Sequence, residues 1–150
     1  MSMVNDVKPA SVAGTVTFRL GVLGTAVADR FAAAIQPLDL KPKHVGLMVV
    51  LDTRGAGVQL EIARTMGVAP SLVVSLADHL ERLGAIARVR DAGDRRRQLL
   101  SLTKHGRELL RDCHTRAQAL DEELLAGIGA DDRAVLRRVL GGLAADAGLP

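Results

Sequence analysis

Pro70-Ser71-Leu72-Val73-Val74-Ser75-Leu76-Ala77-Asp78-His79-Leu80-Glu81-Arg82-Leu83-Gly84, continued through Ile86-Ala87-Arg88-Val89-Arg90 to Leu102, is the stretch whose reading decides the fold. Val73, Leu76, Leu80 and Leu83 recur at the spacing of one buried helical stripe. At about 100° per residue the other side carries Ser71, Val74, Ser75, Asp78 and Arg82. A helix shaped only for solubility would fill that side with Lys and Glu. Here its first half offers Ser, Val and Ser, which leaves room for close approach to another surface.

Gly84 ends the helix in the manner of a left-handed cap. Residues 86–90 then alternate apolar and basic, as a half-buried strand does. Asp91-Ala92-Gly93-Asp94 supplies turn chemistry, Arg95, Arg96 and Arg97 crowd the tip, and 98–102 is the return strand. A helix followed by a basic-tipped hairpin predicts a winged helix-turn-helix, with the helix suited to a major groove and the wing to the neighbouring backbone or minor groove.

Asp94-Arg95-Arg96, with Leu102-Thr103 after five residues, resembles the Asp-x-Arg…Leu-Thr wing signature of the MarR family of bacterial transcriptional regulators. Ser71, Leu76 and Leu80-Glu81-Arg82-Leu83-Gly84 resemble the same family's recognition helix, and the order of the flanking elements agrees over nearly the whole chain. The resemblance implies a mainly α fold with a small β-hairpin wing, flanked by N- and C-terminal dimerisation helices. It also implies double-stranded DNA as partner, a homodimer on a pseudo-palindromic operator, and repression released by a small molecule such as a phenol or aromatic carboxylate.

The chain of 150 residues, 48% hydrophobic, is long enough for one domain with a sizeable core. With no Trp or Tyr and two Phe, that core must be aliphatic. A net charge of +3 and a pI near 9.6 suit nucleic acid without requiring it. The charge is concentrated: from Arg88 to Arg97, five arginines face two aspartates, a local +3 that equals the net charge of the whole chain. One cysteine, Cys113, allows no intrachain disulfide framework and suits a reducing compartment. No run reaches the roughly 18–20 apolar residues of a membrane span, and the first residues lack the pattern of a signal peptide. A cytoplasmic protein with no membrane partner is expected.

In chain order, residues 1 to about 12 read as a poorly ordered tail. A helix over 15–35 is apolar nearly all round, which predicts burial on several sides. Its Gly21 and Gly24 fit close approach by another helix. Pro42 opens the next helix, to about Leu51. After the turn Gly55-Ala56-Gly57, a helix from about Gln59 to Met66 is expected to pack Leu60, Ile62 and Ala63. Where the family places Ser or Thr caps, this chain has Lys41 and Val58, each a loss of roughly 1 kcal/mol. A long helix over 104–126 carries Leu109, Leu110, Cys113, Ala117, Leu120 and Leu124 along one side. Gly127 and Gly129 break it, and a last helix with Asp131 and Asp132 in its first turn carries the stripe Leu136, Val139, Leu140 and Leu143. One domain over 1–150 results, with a reading unit at about 41–103 and dimerisation helices at about 15–35 and 104–146.

The candidate DNA contacts are Gln59, Pro70, Ser71, Val74, Ser75, Arg88, Asp94, Arg95, Arg96 and Arg97. The resemblance implies that Arg96 enters the minor groove while Asp94 steadies it, leaving Arg95 and Arg97 for phosphates. Ser75 stands where many relatives carry Arg, so no bidentate guanine reader is evident and DNA shape gains weight. Arg19, a lone cation on an apolar helix, and His44 are candidates to grip a carboxylate or phenol; a salt-bridged Arg19 and a packing His44 are the alternative. His44, His79, His105 and His114 lack helical metal-ligand spacing, so no metal and no cofactor is expected. No nucleophile elbow, phosphate loop or zinc-protease motif is present, so the chain is not read as an enzyme. Two alternatives stand beside the operator-binding reading. One is a winged-helix protein-interaction module; the other is a thiol-responsive regulator using Cys113, which otherwise reads as a core residue.

Overall fold

The computed structural model describes residues 11–149. The expected N-terminal tail lies almost wholly outside them. Among the described residues there are six α-helices and one two-stranded sheet, in the order α1 (Val16–Ile35), α2 (Pro42–Arg54), α3 (Gln59–Met66), α4 (Pro70–Arg82), β1 (Ile86–Arg90), β2 (Gln98–Leu102), α5 (Lys104–Leu124) and α6 (Ala130–Asp146). The fold is a mainly α winged helix-turn-helix.

The core lies between α2, α3, α4, the hairpin and the first half of α5. Leu47, Met48, Val73, Leu80, Ile86 and Leu100, with Ile35 from the end of α1, are its innermost side chains, and none is aromatic. Of the predicted α4 stripe, Val73, Leu76 and Leu80 are buried, joined by Ala77, while Leu83 falls at the helix cap and is half-buried. Leu60 corrects the sequence reading: it is half exposed, whereas Ile62 and Ala63 are buried. Two residues advance a helix by about 200°, so Leu60 falls opposite the side that packs.

Helix starts are uneven. Thr15 and Thr103 accept the amides of Phe18 and Gly106 through their hydroxyls, but Val58 and Ala69 offer no side chain. At α2 the lysine cannot accept, and the ring of His44 fills in from three residues on: its Nδ1 accepts the Lys41 amide at 2.9 Å. That is the return half of a capping box, made with an imidazole.

The hairpin pairs antiparallel in the register Ile86↔Leu102 to Arg90↔Gln98. Its second strand gains a further partner, because Gly57 and Leu100 exchange amide–carbonyl bonds of 3.1 and 2.8 Å. Thr103 anchors the exit from the wing. Its amide donates to the Ala85 carbonyl, and its hydroxyl donates to the Gly84 carbonyl at 2.6 Å while accepting from Gly106. Here α5 passes so close that a Cβ on Gly106 would collide with the Ala85 carbonyl oxygen.

The terminal helices behave differently. Of α1 only Ile35 is buried, and α6 buries nothing. Phe18, Leu20, Val22 and Leu23 on α1, and Val139, Leu140 and Leu143 on α6, are all more than 40% exposed. The burial predicted for α1 is therefore not found within the chain. Leu124, expected in the α5 stripe, is likewise 45% exposed, while Leu109 and Cys113 are buried.

Candidate nucleic-acid interface

α3 and α4 meet at 108°, within the range of helix-turn-helix pairs. Gly67, at φ +66°, makes the turn in a conformation that L side chains rarely adopt. With its other side packed, α4 presents Pro70, Ser71, Val74 and Ser75 outward. Gln59, the first residue of α3, is half-buried.

At the wing tip the aspartates organise backbone. The Asp91 carboxylate accepts the Gly93 amide and the Asp94 carboxylate the Arg96 amide, each at 3.0 Å. The Asp94 carbonyl also accepts the Arg97 amide. Asp94 thus fixes where residue 96 leaves the loop, while the exposed guanidiniums of Arg95 and Arg96 have no ion-pair partner among the described residues. Arg97 stands 3.6 Å from the Glu61 carboxylate on α3.

Arg88 differs from the other wing arginines. Its guanidinium donates to Asp78 at 2.6 Å and Glu81 at 2.8 Å, both on α4, and the side chain is only 19% exposed. The hydrogen bond to Asp78, and less strongly that to Glu81, raises its already high pKa against the cost of burial. The sequence reading placed Arg88 among the DNA contacts and did not pair it. The available signal was two carboxylates one helical turn apart, just before a strand that begins with inward and outward alternation.

The two ligand candidates are not brought together. Arg19 donates to the Ala13 carbonyl, in the 3-10 turn that precedes α1, at 3.2 Å. His44 is 7% exposed and lines a cavity of about 470 Å³ with Asp39, Lys41, Ser75, His79 and Arg82, which does not include Arg19. Sequence reasoning missed His79 as its neighbour: the two rings stack, and His79 Nε2 lies 2.7 Å from the Asp39 carbonyl oxygen. Burial, then the proximity of His79 and Lys41, lowers the pKa of His44 to about 4. Among the described residues no three His, Cys, Asp or Glu side chains converge as a metal site. Cys113 is buried, and its thiol pKa is pushed up by burial and by Asp112, which disfavours the reactive thiolate.

A helix-turn-helix with a side-chain-light second helix, joined to a hairpin whose Arg95 and Arg96 have no ion-pair partner among the described residues, defines a winged-helix DNA-binding protein. Residues 41–97 match the model of the MarR family. The matched segment spans the reading unit, and the chain is similar to that family's transcriptional regulators. It is 29% identical over 125 residues to the HTH-type transcriptional repressor Rv2887 of Mycobacterium tuberculosis, covering 83% of this chain and 89% of that one. Among solved structures, the repressor CouR bound to a 23-mer DNA duplex is 28% identical with a TM-score of 0.75, over 93% of this chain and 99% of that one. CouR from Rhodococcus jostii RHA1 bound to p-coumaroyl-CoA is 29% identical with a TM-score of 0.72, over 90% and 95%.

Proposed function

We propose that this protein is a homodimeric, cytoplasmic repressor that reads a pseudo-palindromic operator and leaves it when a small anionic molecule binds. The observation that carries the DNA-reading part is the junction of α4 with a wing whose Arg95 and Arg96 project unpaired among the described residues. Such guanidiniums suit phosphates or a narrow minor groove. Ser71, Val74 and Ser75 supply single hydrogen bonds and a methyl surface to base edges.

The dimer is supported by the exposed apolar residues of α1 and α6, the two helices assigned to dimerisation together with α5. Such a surface is larger than the scattered apolar residues a monomer ordinarily leaves in water. Rv2887 and CouR, which this chain resembles, are transcriptional repressors. For the effector, the cavity beside His44 offers the Lys41 ammonium and the Arg82 guanidinium, and CouR takes an anionic phenolic thioester. An aromatic acid or its thioester is the matching class here. The buried Cys113 favours this over thiol sensing.

The test is a DNA titration at two salt concentrations, using a duplex selected in vitro with the wild-type chain. Log affinity should fall steeply with log salt, by roughly 0.9 for each phosphate neutralised. A flat salt response would overturn the operator-binding reading.

A further inference from the structure

We infer that Arg88 is a positioning residue for operator binding: closed on Asp78 and Glu81, it sets the angle between wing and recognition helix and does not touch DNA. This rests on the operator-binding reading above. Asp78 and Glu81 stand one turn apart on α4 and converge on a single guanidinium from β1, at 2.6 and 2.8 Å. A planar fork held at two points fixes orientation as well as distance. The residue opposite Arg88 in the hairpin is Leu100, which is itself bonded to Gly57 in the α2–α3 turn. The wing is therefore fastened on one strand to the recognition helix and on the other to the turn before α3.

Charge makes the same point from the other side. On a surface that meets phosphates, two carboxylates oppose binding. Their contribution here is mechanical, through the arginine they hold. Arg88, four-fifths buried against them, has no free fork to offer a phosphate, unlike the exposed Arg95 and Arg96.

The two roles predict opposite signs. Asp78→Asn combined with Glu81→Gln removes two negative charges at half-exposed positions and leaves the core intact. If Arg88 positions the wing, this variant binds the selected duplex roughly tenfold more weakly, about the effect of losing one charge-assisted hydrogen-bonded link, with an unchanged salt slope. Arg88→Lys, which keeps the charge and loses the fork, weakens binding comparably. Thermal unfolding of each variant confirms the fold, and hydrogen exchange in β1 and β2 quickens in both. Unchanged or tighter binding by the carboxylate variant overturns the inference, as does an Arg88→Lys variant that binds like wild type. If the wild type itself selects no duplex, the operator-binding reading fails first, a result distinguishable from either.

Discussion

The imidazoles of His44 and His79 stack 4.3 Å apart between centroids and 19° from parallel, joining the start of α2 to the recognition helix. His44 must be neutral to do this, because its Nδ1 accepts the Lys41 amide. A proton on Nδ1 would turn that acceptor into a donor and break the cap. The folded chain takes up this proton only near pH 4, against 6.5 for a free histidine.

Stability should therefore be fully present above pH 6.5 and fall as the pH drops towards 4, because the unfolded chain binds the proton first. The loss over that window is roughly 3 kcal/mol from this group. Urea denaturation between pH 7 and 4 measures it. A His44→Asn variant should give a visibly flatter profile; an unchanged slope would assign the titration to other groups.

Gly106→Ala should destabilise by about 1–3 kcal/mol, as overpacking does, although Ala in an open helix gains about 1 kcal/mol over Gly. The added methyl meets the Ala85 carbonyl, a backbone atom with little freedom to retreat. Chemical denaturation gives the sign directly. A stabilised variant would mean that α5 does not approach the α4–β1 junction as described.

Leu140→Asp with Leu143→Asp should convert the dimer to monomer at micromolar concentration. Both side chains are more than 40% exposed on α6, so the protomer core loses nothing by the change. Sedimentation reads the outcome, and a wild-type chain that runs as a stable monomer would remove the proposed dimer altogether.

Arg96→Ala should cost roughly 1–3 kcal/mol of operator affinity and leave the thermal midpoint within error of wild type. The guanidinium is exposed and unpaired among the described residues, so only DNA should register its loss. Binding as tight as wild type would take the minor-groove role away from this residue.

The reading unit was legible in the sequence because its signals are local. The stripe on α4, the cap at Gly84 and the turn chemistry of 91–94 each span a few residues, and each holds in the structure. What the sequence concealed depends on chain separation. His44 and His79 lie 35 positions apart, and nothing in either segment announces the other. Arg88 read as one more basic residue of an alternating strand, since its partners are on the preceding helix. Leu60 looked like core because it is leucine, but its angle on α3 sends it outward. The burial forecast for α1 came from composition, which reports that a surface is apolar without saying which chain covers it.

The two hydrogen bonds between Gly57 and Leu100 carry a mechanical consequence. With β2 pinned there and β1 pinned to α4, the head that faces DNA has no internal joint. Were the proposed effector to push on α2, these links would make the head tilt as a unit, with the wing carried along. In a two-headed assembly the adjustable quantity is then the span between heads, which must match one helical turn of DNA, near 34 Å. Induction, on the proposed reading, would be a matter of gauge, with each head intact and the pair no longer fitting its track.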